Sequence, residues 1–210
     1  MTPSFHWLVR LAALWMLAFS SGVVFPQAGG PTEPRYRLES GASLVWDTEA
    51  RNQMSEFIIR IAEFSPDRYF EWESRAQQGT IRIPAQVLRD SRTMTFARLF
   101  DNGVDVERAN FLTLWLSERI YDELKKENRS QVIIDSFKGE MVVTETLQYP
   151  LLLDKQAVSA PAIKVKDSRG GTWVFLDSRE NPVMLEYRTP YYVQKVRTMT
   201  TRGNLLRWIR

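Results

Sequence analysis

The chain of 210 residues carries 28 Lys and Arg against 25 Asp and Glu, and 44% of it is apolar. That balance belongs to a folded globular chain and excludes a disordered one, while a net charge of only +3, with acids and bases interleaved, argues against nucleic-acid binding. Cysteine is absent, which excludes disulfides, thiolate nucleophiles and a lipid-modified cysteine at the N-terminus.

Met1–Arg10 is a short, weakly basic start, and Leu11–Phe19 is an uninterrupted apolar run. The small residues of Ser20–Gly22 and Gln27–Gly30 follow, the pattern of an export signal. The apolar stretch to Phe25 would reach about 22 Å as a helix, short of a bilayer core of roughly 30 Å. Residues 1–28 are therefore expected to be a signal peptide with a short linker, and 35–210 a single β-rich domain, exported to the periplasm or cell envelope. An uncleaved leader, lengthened by Trp7, Leu8 and Val9, would instead anchor the chain in the membrane.

Beyond the Gly- and Pro-rich stretch Ala28–Pro34, short β-runs dominate. Ser55–Phe64 places Phe57, Ile59 and Ile61 two apart, Arg68–Arg75 does the same with Phe70 and Trp72, and Ser65-Pro66-Asp67 joins them as a hairpin. Thr80–Ile83 is a further strand ended by Pro84; Ser91–Phe100 reads equally as strand or helix; Asp101-Asn102-Gly103 is a turn. Ser117–Asn128 is the one clear helix, with Ser117 as N-cap, an apolar stripe of Ile120, Tyr121 and Leu124, Glu118 in the first turn and Lys125 and Lys126 in the last. Strands are expected at Gln131–Phe137, Glu140–Leu147, Ala162–Asp167, Thr172–Leu176, Val183–Tyr187 and Tyr192–Met199, with turns at Lys138-Gly139, Ser168–Gly171 and Asp177–Pro182. The fold class that follows is mainly β (α+β), a curved antiparallel sheet or half-barrel packed around one principal α-helix.

Four segments carry a resemblance: Phe111–Lys126 (FLTLWLSERIYDELKK), Ala162–Lys166, Trp173–Asp177 and Asn181–Tyr187 (NPVMLEY). Together they resemble an uncharacterised exported bacterial domain-of-unknown-function family, whose members are similar to half-barrel carriers of the lipoprotein-carrier (LolA-like) type. The resemblance covers roughly the C-terminal half and its motifs are structural. It implies a curved sheet around a helix and an envelope address, and it assigns no activity.

The only histidine, His6, lies in the leader, so the mature domain has neither Cys nor His. Zinc sites of the usual kind, His-ligated haem and every Ser-His-Asp arrangement are excluded, and no cofactor or metal is expected. Asp101, Asn102, Gly103, Asp105 and Glu107 cluster like a calcium loop but lack the EF-hand spacing, and read better as a turn with solvated acids. Carboxylates that could serve a glycan hydrolase are Glu71, Glu73, Asp135, Glu140 and Glu145. Neither a nucleotide-binding nor a hydrolase motif occurs, and Asn128-Arg129-Ser130 is a sequon relevant only in a glycosylating pathway.

Arg188, Lys195, Arg197, Arg202, Arg207 and Arg210 make the C-terminus basic, with Tyr191, Tyr192 and Trp208 among them. This run suits an anionic surface such as lipid head groups, but reads better as a solvated edge strand guarded against self-pairing. Phe70, Trp72, Trp115 and Trp173, with Trp46, are core residues that in a half-barrel could also wall a cavity for an apolar ligand. The leading functional reading is a non-enzymatic exported envelope protein that binds a hydrophobic or amphipathic ligand, such as a lipid, or an envelope protein, with peripheral membrane contact left open. The alternatives are a carboxylate-based hydrolase acting on envelope glycan and an adaptor that docks a partner through a sheet edge.

Protein recovered from its native host should begin after Gly22, where Ser20 and Gly22 fill the −3 and −1 positions, or after Ala28. Intact mass measures this directly; full-length chain in the membrane pellet would make it an anchored protein.

Overall fold

Period-two alternation becomes strands that bury alternate residues on one side. Leu44 and Trp46 are buried on β1 (Ser43–Ala50), Phe57, Ile59 and Ile61 on β2 (Gln53–Glu63), Phe70 and Trp72 on β3 (Arg68–Ser74), and Ile81 and Ile83 on β4 (Gln77–Ile83). The computed structural model describes residues 36–75, 77–96, 99–100 and 103–203; the leader falls outside them. After β4 come α1 (Ala85–Asp90), β5 (Thr93–Met94), α2 (Glu118–Glu127), β6 (Arg129–Ile134), β7 (Phe137–Leu153), β8 (Gln156–Asp167), β9 (Thr172–Leu176), β10 (Met184–Thr189) and β11 (Tyr192–Thr200). The strands form one curved eleven-stranded sheet in the order β4-β3-β2-β1-β11-β10-β9-β8-β7-β6-β5. All neighbours in that order are antiparallel except β5 and β6, which run parallel.

The two edges of this sheet, β4 and β5, are both taken by residues 103–117, here called the strap. Val106 N–H donates to Thr80 O, and the N–H groups of Arg82 and Ala109 complete a short parallel ladder on β4. Six residues further on, Leu112 exchanges hydrogen bonds with Thr93 O and Thr95 N on β5. The strap then turns inward at Leu114, whose φ is +61°, and pairs Trp115 with Val183 ahead of β10. The apolar run FLTLWL is thus extended chain, and the helix begins only after it. Ser117 accepts the N–H of Ile120 as N-cap, and Asn128 closes the helix in the left-handed region.

α2 packs against β6 through its buried Ile120, Tyr121 and Leu124. It is also clamped to the β9–β10 loop. Tyr121 and Lys125 bind the two oxygens of Asp177 at 2.7 and 2.8 Å, and Arg179 reaches both Asp122 and Glu118 at 2.9 Å. The Arg179 hydrogen bond holds the Asp122 carboxyl below its ordinary range.

The sheet departs from the sequence expectation along β7 and β8. The turn expected at Lys138-Gly139 lies at Asp135-Ser136, both at positive φ, and Gly139 is inside the strand. β7 does not end at Leu147 but runs 17 residues to Leu153, and β8 returns from Gln156. Pro150 is tolerated there because only β8 is hydrogen-bonded to that part of β7; β6 has already ended. The tip of this arm closes a second circuit by pairing Leu152 and Leu153 in parallel with Thr198 and Met199 of β11. Consecutive burial of Trp173, Val174, Phe175 and Leu176 shows that both faces of β9 are covered.

Gly79 lets the strap sit on β4: a Cβ there would lie 2.2 Å from Val104 O and 2.8 Å from Trp72 Nε1. Gly79→Ala should lower the free energy of unfolding by about 1–3 kcal/mol. Urea denaturation checks this; an unchanged midpoint would mean that the strap does not bear on β4.

Candidate binding site

The candidate cavity-wall residues Phe70, Trp72, Trp115 and Trp173 are all buried. Phe70 and Trp115 meet, with ring centroids 5.5 Å apart. Trp72 and Trp173 are brought together only through two further rings, Phe100 (5.1 Å from Trp72) and Phe96 (5.3 Å from Trp173), which lie 6.5 Å from each other. Phe57 stands between Trp46 and Phe100 at 5.6 and 4.6 Å, and Tyr187 lies 3.9 Å from Trp173 and 4.9 Å from Phe96. A connected series of rings therefore runs from Trp46 through Phe57, Phe100 and Phe96 to Trp173, and Phe70 with Trp115 forms a separate pair. None of the four residues lines the surface depression of about 360 Å³ formed by Arg37, Leu38, Glu39, Ser40, Ala62, Glu63, Phe64 and Ser65.

Three of the buried tryptophans donate their indole N–H. Trp46 reaches Met184 O at 3.1 Å, Trp115 reaches Asn181 Oδ1 at 2.9 Å, and Trp173 reaches Asp167 Oδ2 at 2.7 Å. Asn181 uses its other end on Tyr36 O at 2.6 Å, so the Asn-Pro turn fastens the start of the described chain to the core. Trp72 is the exception: its Nε1 is buried without a partner, and so is the hydroxyl of Thr48. Thr48 is opposite Ser55, two residues before Phe57 on β2, and opposite Gln194 on β11. The hydroxyl of Thr113 in the strap and Nε of Arg68 at the start of β3 are also buried without a partner; burying such groups unsatisfied costs about 1–3 kcal/mol each.

Phe96, Phe100, Tyr187 and Thr48 carry no signal in the sequence that assigns them to this interior. Phe57 was legible as a core position from its alternation. Phe96 and Phe100 lie four apart in the stretch that reads equally as strand or helix, and nothing in that spacing says which rings they meet.

Among the described residues, three of the four basic C-terminal side chains are ion-paired. Arg188 binds Glu186 at 3.0 Å, Arg197 binds Asp47 at 3.1 Å and Glu56 at 2.6 Å, and Arg202 binds Glu39 at 3.2 Å. Lys195 lies over the Tyr149 ring at 5.8 Å. Arg207, Trp208 and Arg210 lie outside the described residues.

The five carboxylates do not converge. Glu71 and Glu73 are on β3, with Glu73 held by Arg60 at 3.0 Å, whereas Glu140 and Glu145 are on β7, Glu145 held by Lys164 at 3.2 Å. Asp135 accepts Phe96 N–H at 2.8 Å and thereby ties down the aromatic segment. Of the calcium-like cluster, Asp101 and Asn102 lie outside the described residues, and Asp105 accepts the N–H and hydroxyl of Thr80, both at 2.9 Å. Among the described residues no three His, Cys, Asp or Glu side chains gather as a metal site requires. No protein-family model, curated protein or solved structure matches this chain.

Burial pushes the Tyr187 phenol up to about 12, with the Asp167 charge adding to it. Tyr121 and Tyr149 are raised further, first by burial and then by their contacts with Asp177 and Glu186. Arg68 moves the other way, lowered by burial to about 10; its guanidinium donates to Phe64 O and Glu180 O and lies 3.5 Å over the Phe64 ring. A phenol raised by folding keeps its proton longer in the folded state, so its share of stability is present below the unfolded value of 10 and is lost as pH rises beyond it. The lowered Arg68 acts oppositely in the same window, one group against three. Stability should therefore fall above pH 10, and three tyrosinate equivalents should appear at 295 nm together with loss of near-ultraviolet circular dichroism. Ionisation of all three in a still-folded protein would contradict this.

Proposed function

We propose that this chain is a non-enzymatic exported protein of the cell envelope, akin to the half-barrel carriers its C-terminal half resembles, which holds an amphipathic ligand at the aromatic end of its interior. The observation that carries the reading is the unpartnered indole N–H of Trp72, buried with its ring 5.1 Å from Phe100, with the unpartnered Thr48 hydroxyl two residues along β1 from Trp46. A ligand that brings an apolar chain and one acceptor oxygen, such as an ester carbonyl, satisfies the donor and keeps the aromatic contacts. Phe100 occupies the place between Phe57 and Trp72, is itself only half-buried, and is the ring that would turn aside. The hydrolase reading has less support, since its carboxylates stand on separate strands and are partly ion-paired. So has docking through a sheet edge, because the strap takes the hydrogen bonds of β4 and β5.

Native mass spectrometry of protein taken from its own envelope should show a bound lipid-like mass. Phe100→Ala should bind N-phenylnaphthylamine more tightly than wild type. Trp72→Phe keeps a ring but removes the donor, and should weaken binding of a long-chain monoacylglycerol by about five- to tenfold. An empty native protein, together with no probe binding by either wild type or Phe100→Ala, would overturn the proposal.

A further inference from the structure

The antiparallel order places the β1–β2, β3–β4, β6–β7, β8–β9 and β10–β11 turns at one end of the sheet, a rim opposite the end that carries α1 and α2. The three most exposed large apolar side chains of the described residues all stand on this rim: Tyr191 at 82%, Met54 at 69% and Phe137 at 62%. Each sits on a different turn, so together they form separated tips and no continuous apolar patch. Rigid hairpins hold them out, with positive φ at Arg51, Asn52, Asp135 and Ser136.

Charge follows the same division. The described residues of the rim turns, 51–54, 75, 77–78, 135–138, 168–171 and 189–191, contain four cations, Arg51, Arg75, Lys138 and Arg169, and one carboxylate, Asp135. Asp135 is already engaged by Phe96 N–H and stands 3.8 Å from Arg169, whose guanidinium lies 4.6 Å over Phe137. Arg51 and Lys138 have no ion pair among the described residues, and Arg75 reaches only the Gln53 amide, at 3.5 Å. The turns at the opposite end, 64–67, 154–155 and 177–182, hold four acids (Asp67, Asp154, Asp177, Glu180) against two bases (Lys155, Arg179).

We propose that this rim is a docking surface for an anionic lipid bilayer. Isolated aromatic and thioether tips suit a bilayer interface, where each can enter the head-group region separately, whereas a protein partner would be met by a contiguous patch. Unpaired cations between the tips match phosphate head groups, and the acidic turns at the far end orient the molecule rim-first. The surface is separate from the interior site: Phe137 and Tyr191 are exposed and make no contact with Trp72, so either proposal can fail alone.

The test is co-sedimentation of protein recovered from its host envelope with vesicles of phosphatidylcholine alone or with about one-third phosphatidylglycerol. Binding to the anionic vesicles should be about tenfold stronger and should fall as salt is raised. Phe137→Ser with Tyr191→Ser should lose about tenfold with an unchanged melting temperature, because both side chains are exposed. Arg51→Glu with Lys138→Glu should lose binding on anionic vesicles only, and Lys155→Glu at the far end should change nothing. Equal binding to both vesicles, wild-type binding by the double Ser variant, or self-association through the rim without vesicle binding would each overturn the proposal.

Discussion

Residues 103–117 make the hydrogen bonds on which the rest of the fold depends, because an open eleven-stranded sheet has two edges and this strap occupies both. An exposed edge is a row of unpaired N–H and C=O groups ready to recruit another chain. Here one extended segment pairs with β4 at Val106 and with β5 at Leu112, so curvature alone need not bring the two edges into register. The closure works only where side chains leave room, as at Gly79, over which the Val104 carbonyl lies. Since the strap continues into Trp115, the same segment that seals the edges also fills part of the interior.

Filling by aromatic rings has an electrostatic consequence. Each buried indole brings a donor that must be matched, and the partners of Trp46, Trp115 and Trp173 come from three different places: a strand carbonyl, the Asn-Pro turn and the Asp167 turn. These bonds fix how β1, the strap and β9 sit against their neighbours, which nonspecific apolar contact would leave looser. The lack of a partner for Trp72 is meaningful against that background. The same burial raises the phenols of Tyr121, Tyr149 and Tyr187, and it lowers Arg68 for the complementary reason that the charged form is the one disfavoured there.

The long β7–β8 arm shows how sequence signals can mislead about extent. The expected strands stop at Leu147 and resume at Ala162, short of Pro150 and Pro161, yet the two strands pair from Met141 opposite Asp167 to Leu153 opposite Gln156. Proline is excluded from a strand by the hydrogen bond it cannot donate, and that matters only if a second neighbour expects it. Likewise Lys138-Gly139 reads as a turn, whereas the chain turns three residues earlier with Asp135 and Ser136 at positive φ. Which of the two dipeptides makes the turn depends on the register that buries Val132 and Ile134, a property of the assembled sheet.

By itself the sequence determined the β-rich class, the hairpin around Ser65-Pro66-Asp67, the helix after Ser117 and the burial of Phe70, Trp72, Trp115 and Trp173. These follow from spacing and capping within a few residues, interactions that do not wait for the rest of the chain. Tertiary structure alone decided that FLTLWL is an extended strap, that Phe96 and Phe100 join Trp72 to Trp173, and that Arg188, Arg197 and Arg202 are paired with Glu186, Asp47, Glu56 and Glu39. It also decided which donors go unmatched. Those outcomes rest on partners far apart in sequence, such as Trp115 with Asn181, and composition and periodicity carry no information about which distant residues the closing sheet brings together.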